Sequence, residues 1–119
     1  MKLILKSIFL LSEEESFQEF VPEIPHNFHV LASVTIGEVD NVAADDYSLG
    51  ICTPAWLDHH IQNVGPISGR HLLIVNRFDA KEIRASIEEI INQCERPASA
   101  ETYAVLARFF AWEFEDYQS

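Results

Sequence analysis

The sequence predicts an α+β domain in which a mainly antiparallel sheet of about five strands is covered by about three helices. One observation is the alternation of apolar and polar residues early in the chain, clearest over residues 28–36. Another is the helical spacing of apolar residues over 80–94 and 100–110. The composition, 48% hydrophobic and 23% charged, is that of a globular protein large enough for a core. We therefore expect residues 1–119 to form a single domain.

The first three strands follow from the apolar pattern. Residues 2–11 are predicted to form a strand, and the lysine that interrupts this apolar run argues against a signal peptide. Residues 28–36 place every second side chain on one face, and residues 47–53 alternate again. Short connections predict antiparallel pairing of adjacent strands. Residues 12–27 hold a run of glutamates and two prolines, which indicates an exposed acidic connection.

A threonine followed by a proline marks the start of the first helix. Thr53 can accept a hydrogen bond from a free amide of the first turn, and proline suits the next position because no N–H is needed there. We expect this helix over 54–62, with Trp56 and Leu57 on its packed side. Residues 71–78 then carry the apolar run LLIV, which predicts a central strand buried on both faces.

Two further helices and a last strand complete the prediction. Asp79 caps the helix expected over 80–94, and a glutamate three residues later completes a capping-box pattern. Ser99 is predicted to cap the helix over 100–110, which carries a second apolar stripe. The chain finishes in WEFEDY, residues 112–117, whose alternation of apolar and acidic residues predicts a strand.

The excess of acidic residues limits the classes of partner. The chain has 19 acidic and 8 basic residues, a formal net charge of −11. This charge repels nucleic-acid phosphates and anionic membranes, so neither is an expected partner, whereas a basic protein is attracted. No apolar run approaches the roughly 18 residues of a membrane span. Cys52 and Cys94 form no C-x-x-C pair and are expected to be reduced, packed thiols of a cytoplasmic protein.

Little in the sequence indicates catalysis. His59 and His60 would point about 100° apart on a helix, which prevents them from sharing a metal ion. His26 and His29 have H-x-x-H spacing but no cysteine nearby, and structural zinc normally needs four N or S ligands. No nucleophile elbow, Walker loop or dinucleotide fingerprint occurs. We expect no catalytic residue, no metal and no cofactor; a small hydrolase using scattered carboxylates or Cys52 is the alternative from a different class.

Three stretches, taken in order, carry a resemblance to a known family. They are TPAWL at 53–57, GRHLLIV at 69–75 and FAWEFEDY at 110–117. In this order and at these spacings they resemble the bacterial immunity protein 8 family, whose members are encoded beside polymorphic toxins or toxins of contact-dependent growth inhibition. The similarity runs over about 47–117, more than half of the chain.

The resemblance implies a function in binding rather than in catalysis. It implies an intracellular protein that binds the C-terminal domain of a cognate toxin and protects the producing cell and its siblings. A basic toxin, with a nuclease as one candidate, would suit the acidic chain. We expect a monomer or a weak homodimer. The alternative within binding proteins is an acidic adaptor or regulator whose ligand is unrelated to any toxin.

The shared motifs are interpreted as structural. Trp112 and Phe114 would share a strand face and close the core, with Asp116 on the same face. Arg70 is expected to pair with one of the terminal acids. The residues of this structural set are Trp56, Leu57, Arg70, Trp112, Phe114 and Asp116.

Partner contacts are expected at exposed acids on loops, because loops tolerate substitution without unfolding of the sheet. Most of these acids fall in the first long connection and just before the third strand, and the outward side of the short helix extends the same patch. The candidate toxin-binding residues are Glu13, Glu14, Glu15, Glu19, Asp40, Asp45, Asp46, Asp58 and His59.

Overall fold

The computed structural model describes residues 2–114, which contain a five-stranded sheet and three helices. The predicted α+β architecture is confirmed, and the sheet is antiparallel except for one parallel pair of strands. In chain order the elements are β1 (Leu3–Leu10), β2 (His29–Glu38), β3 (Asp45–Cys52), α1 (Pro54–Asn63), β4 (Leu72–Ile74), α2 (Ala80–Cys94), α3 (Ser99–Phe109) and β5 (Ala111–Trp112).

The strands are ordered β1-β2-β3-β4, and β5 pairs with β3 on the same edge as β4. β2 pairs antiparallel with β1 on one side and with β3 on the other, along most of its length. β4 runs parallel to β3 from Gly50 to Cys52, and β5 pairs with Tyr47 and Ser48. Only the first three strands are therefore long, and the fourth position in the sheet is shared by two short segments.

One face of the sheet is covered by helices. The predicted stripe of α2 is buried, with Ile83, Ile87 and Ile91 at most 1% exposed. Asp79 caps α2 as predicted, because its carboxylate accepts a hydrogen bond from the Glu82 amide at 3.1 Å. The strand side chains in the same core cluster are those that alternate along β2 and β3, namely Val30, Ala32, Val34, Ile36, Tyr47, Leu49 and Ile51.

Helix α1 begins at the predicted threonine–proline step. The buried Thr53 hydroxyl accepts hydrogen bonds from the amides of Trp56 at 3.4 Å and Phe28 at 3.2 Å. It therefore ties the start of the helix to the chain that enters β2. Trp56 and Leu57 are half-buried, and no residue of α1 is fully buried. Helix α1 therefore packs at the periphery of the domain, outside the buried core.

The predicted central strand over 71–78 is wrong in position and length. Only Leu72–Ile74 pair, at the edge of the sheet, and Ile74 is 53% exposed. His71 has a positive φ of 59°, which turns the chain just before the strand. Leu73 packs against the core while its neighbours along β4 point to the other face. The apolar run LLIV therefore has some side chains that pack against the core and others on the opposite, partly exposed face of the sheet.

Helix α3 lacks the predicted side-chain cap. Ser99 is its first residue, and Ala98 occupies the N-cap position without a side-chain hydrogen bond. The buried Thr102 fastens the start of the helix instead, because its hydroxyl accepts a hydrogen bond from the Arg96 amide at 2.9 Å. The predicted stripe on α3 is confirmed at Leu106, which is fully buried.

The aromatic residues that follow α3 divide between the core and the surface. Phe110 is fully buried, and its ring lies edge-on to Tyr47 with centroids 6.2 Å apart. Trp112 and Phe114 are 40% and 46% exposed. The prediction that these two residues close the core is therefore wrong, because Phe110 already fills that place at the end of α3.

The predicted terminal strand is also shorter than expected. It is reduced to Ala111–Trp112, and residues 113–114 form a turn. Asp116 lies outside the described residues, and so does the predicted pairing of Arg70 with a terminal acid. Arg70 is exposed, and its Nε lies 3.2 Å from Nε2 of His71.

These differences in burial predict an order of stability among three alanine variants. Ile87→Ala should lower the free energy of unfolding by about 2–5 kcal/mol and Phe110→Ala by about 3–5 kcal/mol, since both side chains are fully buried. Trp112→Ala should cost less than Phe110→Ala because the indole is 40% exposed. Urea denaturation measures all three, and a larger loss for Trp112→Ala would contradict the assignment of Phe110 to the core.

Candidate interaction surface

The face of the sheet opposite α2 and α3 is open over β1 and β2 within residues 2–114. On this side Phe9 is 61% exposed and Leu31 is 40% exposed. Leu11, just after β1, is 56% exposed, and Ile74 of β4 is 53% exposed. We call Phe9, Leu11 and Leu31 the apolar patch. None of these residues was predicted from the sequence to lie in a binding surface. Leu31 could have been noticed, because it is an apolar residue among the polar positions of β2 and so breaks the alternation.

Strand register places Leu11 beside Leu31 and Phe9 diagonally across from Leu31, whereas Ile74 pairs with Cys52 two strands away. The Leu11 amide donates to the Leu31 carbonyl at 2.8 Å, and Leu31 is directly opposite Gly50, which pairs in turn with Leu72. A Cβ at Gly50 would lie 2.7 Å from Leu72 Cδ2 and 3.3 Å from His29 Nε2. A larger residue here would therefore require the side chain of Leu72, and to a lesser extent that of His29, to move.

An aromatic stack borders the apolar patch at α1. The Trp56 indole lies between two imidazoles, with ring centroids 4.4 Å from His29 and 4.7 Å from His60. The planes are nearly parallel, at 20° and 25°. Burial lowers the pKa of His29, and the nearby charge of His60 lowers it further. The stack therefore favours a neutral His29 and fixes α1 to the open face.

The connection between β1 and β2 is anchored from inside by aromatic rings. Phe17, Phe20 and Phe28 each lie edge-on to Phe78, with centroid distances of 5.7, 5.0 and 5.5 Å. Phe17 is only 2% exposed. Such edge-to-face pairs add stability beyond the area they bury. The connection, residues 11–28, is thus a packed segment that presents its acidic side chains outward.

The glutamates at the start of this connection adjoin the apolar patch. Glu14 and Glu15 are exposed and Glu13 is half-buried. All three line a depression of about 340 Å³ whose wall also includes Phe9. Among the contacts of residues 2–114, none of these carboxylates has an ion pair or a hydrogen bond. Their charge is therefore available to a partner.

The acidic candidates do not form one patch. Asp45 and Asp46 are the first residues of β3, where they pair with Ile36 and Thr35, whereas the connection meets the sheet at the other end of β3. At about 3.3 Å per residue, this strand separates the two groups by roughly 20–25 Å. Alternation also directs Asp45 and Asp46 to opposite faces. Asp40 lies in the turn beyond β2, at the same end as these two.

The remaining candidates lie at the end where the connection is found. Glu19 is exposed on the connection, and Asp58 and His59 are exposed on α1. Asp58 accepts a hydrogen bond from the Gln62 side chain at 2.9 Å. The acids of the connection and of α1 therefore lie away from the acids at the start of β3, and a surface shared by the connection and α1 stays a prediction.

Of the residues considered for chemistry, His29 and His60 flank the Trp56 indole, and Cys52 pairs with His29 across β2 and β3. Burial raises the pKa of the thiols of Cys52 and Cys94, which favours their protonated form. His71 Nε2 lies 2.8 Å from the Ala107 carbonyl, and His26 Nδ1 lies 3.4 Å from the Asn76 carbonyl. Residues 2–114 contain no group of three or more side chains that could hold a metal ion, and no helix long and apolar enough to cross a membrane.

The lowered pKa of His29 predicts a loss of stability in acid. Below the ordinary pKa of 6.5, the unfolded chain binds a proton at this position before the folded protein does. The stabilising contribution of neutral His29 is therefore complete above that pH and declines below it, down to the folded-state pKa. We expect the free energy of unfolding to fall less between about pH 7.5 and 5.5 in His29→Gln than in the parent.

The measurement is urea denaturation at a series of pH values. His59→Gln is the matched control, because His59 is an exposed histidine of α1, the helix that carries Trp56, and takes no part in the Trp56 ring stack. This control keeps His29, so it should retain the loss of stability in acid that we assign to His29. A pH dependence of stability that is identical in the parent and in His29→Gln would contradict the assignment.

Comparison with known proteins places the chain in a family. Neither the curated proteins nor the solved structures include a match to it. The family described as Immunity protein 8 matches residues 3–117. This match extends the similarity predicted over 47–117 to nearly the whole of the 119-residue chain. The chain therefore belongs to the immunity protein 8 family, and its function is to neutralise a toxin.

Proposed function

We propose that the protein neutralises a basic toxin domain by binding it directly, without catalysis, through the surface formed by the connection and the outward side of α1. The observation that carries this proposal is the run Glu13 to Glu15, whose carboxylates have no partner within residues 2–114 and adjoin exposed apolar side chains. The formal net charge of −11 favours a partner of opposite sign. The proposed partner is the C-terminal domain of a toxin of a contact-dependent growth inhibition or related polymorphic system, met in the cytoplasm.

A toxin that acts on nucleic acid fits this surface best. Such enzymes bind phosphates with lysine and arginine, and a carboxylate can occupy the place of a phosphate. Complementary charge also raises the rate of encounter and selects against wrong partners. A glutamate run therefore serves both the speed and the specificity of inhibition, whether the inhibitor covers the toxin's active site or another basic surface.

Charge reversal at the two ends of the sheet tests where the toxin binds. We expect the triple variant Glu13→Lys, Glu14→Lys, Glu15→Lys to weaken binding at least about tenfold, while thermal stability stays nearly unchanged because these side chains lie outside the core. Isothermal titration calorimetry with the toxin domain encoded beside this gene measures the affinity. Co-expression with that toxin, followed by growth, measures protection.

The matched control carries the same change of charge at the opposite end, as Asp40→Lys, Asp45→Lys and Asp46→Lys. It should bind within about threefold of the parent, since only the long-range field has changed there. If this control loses affinity and the glutamate variant does not, the toxin binds at the start of β3. A parent protein that neither binds nor protects would exclude this toxin as the partner.

If charge steers the encounter, salt should change the association rate of the complex more than its dissociation rate. The association rate should fall markedly between about 10 and 150 mM salt, because the Debye length shortens from about 30 to 8 Å. The dissociation rate should change less, since close contacts are less screened. Stopped-flow mixing measures both rates. Association that ignores ionic strength would show that charge does not guide the encounter.

A further inference from the structure

The apolar patch on the open face is confined to one end of the sheet. Leu31 lies toward the connection, Phe9 lies opposite Ser33, and Ser48 and Thr35 continue the same face with polar side chains. The face therefore changes from apolar to polar along β2. Exposed apolar side chains that are scattered singly need no explanation, but a contiguous group with a charged rim marks an interaction site.

The described residues do not cover this patch. α2 and α3 bury their stripes against the opposite face, where the core cluster lies. α1 reaches the open face only at its border, where Trp56 stacks on His29. Phe9 keeps 61% of its surface exposed, although an aromatic ring is among the side chains with most to gain from burial.

We infer that the apolar patch is the desolvated centre of the toxin contact, an inference that rests on the proposed function. The occupant is the toxin domain, presenting apolar side chains encircled by lysine or arginine. Charge complementarity supports this choice, because Glu13 to Glu15 line the same depression as Phe9. Protein interfaces commonly combine an apolar centre with a polar rim in this way. A second copy of the chain is a poorer occupant, since each copy carries a net charge of −11.

The centre and the rim have different expected roles in binding. Apolar contacts that exclude water hold the complex together and act mainly on dissociation, whereas rim charges act mainly on association. The apolar patch should therefore govern the lifetime of the complex. Trp56 adjoins the patch through His29, and its stacked indole gives a rigid border on which a partner can rest.

Truncation of the patch tests the inference. The double variant Phe9→Ala, Leu31→Ala should weaken binding of the toxin domain at least about tenfold, chiefly through faster dissociation in surface plasmon resonance. The matched control Phe109→Ala, Val42→Ala also removes one exposed aromatic and one exposed aliphatic side chain, at 40% and 102% exposure, from outside the patch. It should bind like the parent. Circular dichroism confirms that both variants stay folded.

The outcomes separate this inference from the proposed function. If Glu13 to Glu15 reversal weakens binding while Phe9→Ala, Leu31→Ala does not, the inference is overturned and the acidic contact stands. If the parent sediments as a dimer and the patch variant as a monomer with unchanged toxin affinity, the patch joins two copies and the inference is likewise overturned. A parent that fails to bind the toxin overturns both.

Discussion

The pairing of β2 with two neighbours determines the direction of the side chains on which both stability and binding depend. β1 and β3 hold β2 in register along most of its length, so its residues alternate between the helix-covered face and the open face. A slip of one residue would exchange Val34, which is fully buried, for one of its half-buried polar neighbours, Ser33 or Thr35. The large apolar area under α2 opposes any such slip. The core therefore also fixes which residues meet a partner.

Thr53 joins the two sides of this arrangement. Its buried hydroxyl accepts from the amide of Phe28 as β2 begins and from that of Trp56 in the first turn of α1. Thr53 thus contacts two aromatic groups. Through Phe28 it contacts the rings around Phe78 that anchor the connection, and through Trp56 it contacts the stack with His29 and His60. Thr53 therefore links the end of the connection to the start of α1 at this end of the sheet.

Periodicity and capping chemistry predicted the elements whose signals are local. β1 follows from its apolar run, β2 and β3 follow from alternation, and α1 and α2 start where Thr53 and Asp79 accept hydrogen bonds from amides. Strand order is not local: the run LLIV predicts burial, but β4 is a short edge strand because β5 pairs with the same edge of β3.

The candidate surface was predictable only in part, for the same reason. The glutamates of the connection are visible as a charge run, and structure adds their proximity to Phe9. Asp45 and Asp46 are adjacent in sequence, yet strand alternation directs them to opposite faces. The ring stack joins His29 to Trp56 across a long stretch of chain, and no short-range pattern records that contact. Phe110 and Trp112 are likewise close in sequence, and only packing decides which of them is buried.

The aromatic rings that anchor the connection lower the entropy cost of binding, and they allow the exposed residues to change in evolution toward a different toxin. Fixing the backbone of a residue costs about 1–2 kcal/mol of conformational entropy, and a loose loop would lose that freedom when the partner arrives. Here the rings around Phe78 hold the segment when the protein folds, so a partner meets side chains that are already at fixed spacing. The buried anchors and the exposed glutamates are different residues. Substitution of the exposed positions can therefore retune recognition while the scaffold beneath stays the same.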